Sequence, residues 1–459
     1  MHSIWAVARN TLAQALRMKI AAVVILLLLI LLPLMSMVMD GDGTLLGKLQ
    51  TFTSYGLGLI SLLLCVLTIA ISTYTLSNDL KCKYIFLVVT KPIRRFELIM
   101  GKLLGIILLD VLLLGIFSGI LYSCTRLIPK ITDAPENQKF QAKAEFFTSR
   151  IGVKAEINHD LINRRAKERY DELTSLGQIP EDMPYNRIMS ELAGQEKMKA
   201  KRVDPGQTKE WDFENVRVKN ADDPNTFIFV RYKYQTAAPP PDEKVYGLWQ
   251  VGDLRQFKAG AAKMKTPIYR VERGEVIQVT HEFAVPANAI AEDGYIGIGF
   301  FNSTTLNQTA IIPEELELLY QTGDFTANYF RAVLMILVRL VFLAVIGISL
   351  TTWLSFPVAV LVCITIFFIG LTNGFILDAI GGVGATAGMI YSILLKPLLW
   401  LLPQFDGIYN PNGYIVAGRT IQWAFLATTA LITLLVKGLL MLLVGIGIFH
   451  RREVAQVAA

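Results

Sequence analysis

Ile20-Ala-Ala-Val-Val-Ile-Leu-Leu-Leu-Leu-Ile-Leu-Leu-Pro-Leu-Met-Ser-Met-Val38 carries no charge from end to end. About 20 apolar residues in a helix cross the hydrocarbon core of a bilayer. A run of this kind therefore predicts a transmembrane helix. It is too long for the hydrophobic region of a typical signal peptide and no A-x-A cleavage pattern follows it, so it reads as an uncleaved anchor. Five more stretches qualify, at 55–76, 98–122, 330–353, 357–377 and 421–449. A shorter apolar stretch within 386–403 is broken by Lys396 and Pro397 and ends at Pro403. It reads as a re-entrant piece, which is tolerated at membrane depth when protein surrounds it.

Composition agrees with this class. Of the 459 residues 53% are hydrophobic and 18% charged, against about 25% charged in an ordinary soluble domain. The net charge of +6 does not argue for nucleic acid, because loop lysines and arginines set orientation in a membrane protein. Arg9, Arg17 and Lys19 precede the first span. Lys81, Lys83, Lys91, Arg94 and Arg95 lie between the second and third, and His450, Arg451 and Arg452 follow the last. The loop 39–54 holds Asp40 and Asp42 against Lys48. The positive-inside rule then puts both termini and the second-to-third loop in the cytoplasm, as an even number of spans requires. Residues 1–19 precede the first span. There Ile4, Trp5, Ala8, Leu12, Ala15 and Leu16 can share a face, which predicts an amphipathic helix in the interface.

Residues 126–328 form a polar insertion between spans three and four, placed outside the cytoplasm. Residues 137–201 are charged and favour helix. Residues 210–320 are β-rich: Phe227–Tyr234, Glu275–Phe283 and Tyr295–Phe301 are predicted strands, separated by turn signals that include Arg273-Gly274. That spacing suggests a β-sandwich. Trp211, Tyr246, Trp249 and Tyr269 could form a binding platform, although core filling is the commoner role of such residues. Cys65, Cys82, Cys124 and Cys363 all lie outside the strand-rich part, so no disulfide framework is readable.

Chemistry is hard to find. Gly47-Lys48 lacks both the first glycine and the Ser/Thr of a phosphate-binding loop, and there is no nucleophile elbow or metalloprotease helix. The four histidines are scattered, and His281 on a strand reads as structural. No enzyme, metal or cofactor reading has residues to stand on. Asp110, Arg339 and Lys437 fall inside spans, where each costs roughly 2.5–3.5 kcal/mol to insert and calls for a partner. Asp110 with Lys437 or Arg339 is the expected pair, fixing helix register.

The most informative loop reads Ser77-Asn-Asp-Leu-Lys-Cys-Lys-Tyr-Ile-Phe-Leu-Val-Val-Thr-Lys-Pro-Ile-Arg-Arg-Phe-Glu-Leu-Ile-Met-Gly-Lys102. An acidic start, a short apolar helix, Pro-x-x-Arg-x-Glu and a Gly-Lys opening the next span resemble the permease subunits of type-2 ABC exporters. The resemblance is to the branch of the nitrous-oxide-reductase maturation and gliding-motility permeases. It covers 1–125 and 328–452, including Leu402-Pro403-Gln-Phe405, but not the insertion.

That resemblance implies an ATPase-coupling element at 77–98. Asp79 stands where the family usually has Glu. Tyr84, Phe86 and Val88 belong to a docking helix rimmed by Lys81, Pro92 ends it, Arg95 and Glu97 match the motif, and Gly101 and Lys102 open the third span. It further implies a separate ATP-binding-cassette ATPase that binds the nucleotide. The permease would work as a dimer with a second copy or homologue in a bacterial inner membrane, with no catalytic residue of its own. The alternative is a non-transporting mechanical or scaffold protein whose external domain engages cell-envelope partners.

Overall fold

The computed structural model describes residues 2–39, 41–81, 94–155, 159–179, 185–218, 226–240, 242–259, 265–381 and 396–451. The chain divides into two compact units, one made of 1–149 and 323–459, the other of 150–322. The second unit is narrower than the predicted insertion of 126–328.

The first unit is helical. The N-terminal helix α1 (His2–Leu16) leads into α2 (Lys19–Val38), α3 (Leu45–Lys81) and α4 (Arg95–Ile131), followed by the short α5 (Glu136–Glu145). After the second unit come α9 (Phe325–Thr351) and α10 (Phe356–Gly381). Two short helices, α11 (Lys396–Leu401) and α12 (Pro411–Val416), precede the last helix, α13 (Trp423–Arg451). Six of these, α2, α3, α4, α9, α10 and α13, are long and apolar enough to cross a membrane. The chain is a multi-pass helical membrane protein by that criterion.

Two of the six outrun their predicted spans. Helices α3 and α4 have 37 residues each, or about 55 Å at 1.5 Å per residue, against a hydrocarbon core of about 30 Å. The early start of α3 is a capping effect. Thr44 Oγ1 accepts the Gly47 N–H at 3.0 Å, and Asp42 accepts both the N–H and the hydroxyl of Thr44. A residue with such a side chain satisfies an otherwise orphaned helix N–H. Residues 45–54, expected in a loop, are therefore helical.

Leu57, Ile60 and Leu64 of α3, Ile106, Leu109 and Phe117 of α4, and Ile336, Leu340 and Phe342 of α9 are buried in one core. Burial is uneven among the six. The most apolar windows of α3 and α9 are 67% buried, those of α2 and α13 only 22%. Helices α2 and α13 thus keep apolar flanks that need lipid or another protein to cover them. Of the segment 386–403, residues 386–395 lie outside the described residues. The remainder is α11 and the chain leading to Phe405, whose N–H bonds the Gly370 carbonyl at 2.7 Å.

In the second unit two four-stranded sheets share a core. The strands are β1 (Thr148–Lys154), β2 (Thr208–Phe213), β3 (Phe227–Thr236), β4 (Lys244–Gly252), β5 (Tyr269–Val276), β6 (Thr280–Pro286), β7 (Ile296–Asn302) and β8 (Ile311–Asp324). One sheet runs β1-β8-β3-β6 and the other β2-β7-β4-β5. Alternate residues Val245, Gly247, Trp249 and Val251 of β4 are buried, the period expected of a strand with one face inward. Trp249 meets Tyr232 and Phe300 at ring-centre distances of 4.4 and 4.8 Å, and its indole N–H donates to the Tyr234 hydroxyl at 2.9 Å. Helices α6 (His159–Ser175) and α7 (Tyr185–Lys201) pack on each other through Ala166, Ile188 and Leu192, and α8 (Arg255–Ala259) is a single turn.

Three local expectations change. Strand β1 falls within 137–201, which composition marks as helical. The stretch Glu275–Phe283 is two strands in different sheets rather than one. Arg273-Gly274 is strand, with Gly274 facing Tyr246 across the β4–β5 ladder. A side chain there would meet the Tyr246 ring, with a Cβ 2.6 Å from it. The turn comes later, at Gln278, where φ is +63°.

Candidate functional site

The two ends of the predicted coupling element are described; Tyr84, Phe86, Val88 and Pro92, and the side chain of Lys81, lie outside the described residues. On the N-terminal side Asp79, in the last turn of α3, pairs with Lys102 of α4 at 2.6 Å. The lysine side chain is 3% exposed and the aspartate 20%. Lys102 also donates to the Thr75 carbonyl at 3.1 Å.

On the C-terminal side the motif is consumed in capping and packing. Glu97 accepts the Arg94 N–H at 3.2 Å, a one-way cap at the start of α4. Arg95 donates to the carbonyls of Phe449 and His450 at 2.9 and 3.1 Å and lies over the Phe449 ring at 5.8 Å. It therefore caps the C-terminal end of α13, a role that its match to the coupling motif did not include.

Gly101 serves a third purpose. A Cβ there would lie 2.6 Å from the Val7 side chain, and one at Gly105 would lie 2.6 Å from the Ala8 carbonyl. The two glycines form a groove in which α1 lies against α4. Gly101-Lys-Leu-Leu-Gly105 is a GxxxG pattern, the sequence signature that could have announced this contact. Because the groove admits small residues, Ala8, Thr11 and Ala15 are buried in α1, while Trp5 and Leu16 stay 58% and 42% exposed. These two were expected on the same face as Ala8 and Ala15.

The intramembrane charges do not pair as expected. Asp110 is fully buried and accepts the Thr68 hydroxyl at 2.8 Å, and its other oxygen has no partner among the described residues. Arg339 donates to the Ser61 hydroxyl at 3.1 Å and the Phe405 carbonyl at 2.9 Å. Lys437 donates to the Leu402 carbonyl at 2.9 Å. The cations are held by hydroxyl and carbonyl oxygens exposed where the chain is broken around 402–405, partners that a search for opposite charges overlooks.

Of the four aromatics in the second unit, Trp249 is core. Tyr246 donates to Asp242 and Tyr269 to Asn288. Trp211 lines an open cleft of about 800 Å³ beside Asp160, Glu210 and Asp212. His281 binds the Val276 carbonyl at 2.8 Å, and the adjacent Glu282 joins Arg150 and Arg231, each at 2.6 Å. Burial raises the Tyr232 hydroxyl above the usual phenol range, in keeping with its 2.5 Å donation to Glu275. Among the described residues no group of three or more His, Cys, Asp and Glu converges to hold a metal. No family model, curated protein or solved structure matches the chain.

Proposed function

We propose that the chain is the membrane-spanning permease subunit of an ATP-binding-cassette transporter, an exporter, driven by a separate ATPase that docks on the loop between α3 and α4. The observation that carries this reading is the way that loop is rooted. Its entry is pinned by Asp79–Lys102, its exit by Arg95 on α13, and the first turns of α4 hold α1 through Gly101 and Gly105. A push on the loop would reach α1, α3, α4 and α13 together. A cytoplasmic loop serving only to connect two helices has no need of such rooting.

In this reading both termini and the loop face the cytoplasm of a bacterial inner membrane, and unit 150–322 faces outward. A second permease copy or homologue completes the assembly, and nucleotide binds only to the partner. The mechanical alternative is favoured by one feature, an outer unit with a core of its own. Transport by a proteoliposome-reconstituted variant lacking 150–322 would favour the permease. Nucleotide hydrolysis without any moved solute would favour mechanics.

The docking test uses Tyr84→Ala and Phe86→Asp. Both should insert in the membrane yet capture less ATPase in a pull-down, because apolar anchors ringed by charge dominate interfaces and their truncation costs about 2 kcal/mol or more. Undiminished capture by both would refute the docking surface. Arg95→Glu is not a clean docking variant, since it also places a carboxylate against the carbonyl end of α13.

A further inference from the structure

Lys437 sits midway along α13, in a π-helical stretch, Leu431–Gly438. Turns of this type are rare and concentrate at functional sites. A cation at that position needs compensation. Among the described residues no carboxylate lies within ion-pair distance of it. Its ammonium has three N–H groups. One reaches the Leu402 carbonyl, and the Trp400 ring lies 5.4 Å away. Two donors are left over.

Asn373, on α10, belongs to the same cavity wall. Asn373 is 2% exposed. Its amide nitrogen donates to the carbonyls of Leu399 and Pro403, both at 3.2 Å. Flipping the amide would set its oxygen against two other oxygens, so the orientation is fixed. The Oδ1 atom is then buried with no donor to satisfy it. Such an orphan is costly, about 1–3 kcal/mol.

Both residues line a cavity of about 260 Å³, whose walls also include Gln404, Tyr409, Thr428 and Thr433. This is smaller than the roughly 300–1,000 Å³ of pockets that enclose whole drug-sized ligands. It suits a head group rather than an entire lipid. The flank is apolar and faces outward, with Trp400, Leu431 and Leu435 each more than half exposed.

We infer that this cavity binds the head of an anionic amphiphile: the anion on Lys437 and the tail along Trp400 and α13. The site is independent of the transporter reading and stands or falls separately from it.

The test uses the full-length chain purified in a neutral detergent, with thermal unfolding followed against added probes. Dihexanoyl phosphatidylglycerol supplies anion and tail, dihexanoyl phosphatidylcholine lacks the net charge, and glycerol phosphate lacks the tail. A ligand that binds only the folded state raises its melting temperature in a saturable way. The phosphatidylglycerol probe should do so, and the other two should not at equal concentration. Lys437→Gln should weaken the response at least tenfold and Lys437→Arg should keep most of it, with the probe-free melts showing that both variants fold. Equal shifts from phosphatidylglycerol and phosphatidylcholine would overturn the inference, as would a wild-type response from Lys437→Gln. A shift by glycerol phosphate as large as that by phosphatidylglycerol would overturn the amphiphile.

Discussion

Replacing Asp79 with alanine should cost far more stability than replacing its partner. Lys102 is 3% exposed, so Asp79→Ala leaves an ammonium buried with the Thr75 carbonyl as its remaining acceptor. Breaking a buried pair from one side costs about 3–5 kcal/mol. Because Asp79 is 20% exposed and water reaches the pair, the lower end applies, about 3 kcal/mol. Lys102→Met removes the cation while a flexible apolar chain fills its track, and Asp79 keeps its contact with water. That change should cost about 1 kcal/mol, the scale of a partly solvated pair. The double variant has no orphaned charge and should also sit near 1 kcal/mol, so the pair departs from additivity by about 3 kcal/mol. Reversible unfolding of the full chain from mild into denaturing detergent measures all three. A double variant at the sum of the singles, or a Lys102→Met as damaging as Asp79→Ala, would refute the clamp.

Gly105→Val should cost about 1–3 kcal/mol by overpacking against Ala8 and Thr11, whereas Gly115→Ala, at a position with nothing within 4 Å of the added Cβ, should be neutral or stabilising; thermal melts compare them. Asp110→Asn should keep or raise stability in the same assay, since the amide oxygen still accepts from Thr68 and no anion remains to bury; a large loss would restore the ion-pair expectation. Trp249→Ala should destabilise unit 150–322 by about 3–5 kcal/mol, seen as earlier proteolysis within those residues while the helical unit stays intact.

The spans were legible because uncharged runs of spanning length have few other uses, and six such helices are present. Their ends were not, because the cap at Thr44 works through a hydroxyl that hydropathy ignores. In the strand-rich part β3 follows its side-chain period from Val230 to Tyr234. Gly274 misleads because glycine serves equally in a turn and beneath an aromatic ring. Arg95, Gly101 and Lys102 stood out as a motif, yet their contacts depend on segments outside it. Of these, only the glycine spacing has a local signature. Sequence showed that Arg339 and Lys437 needed partners; it could not show that a broken helix would supply bare carbonyls.

The bond from Arg95 to Phe449 and His450 joins positions 354 and 355 residues apart. At about 5–20 residues per second, synthesis takes roughly 20–70 s to travel from one to the other. For that interval the α13 anchor of the loop cannot exist. Polypeptides stopped short of Phe449 lack it permanently, so the bond marks chains synthesised past that residue.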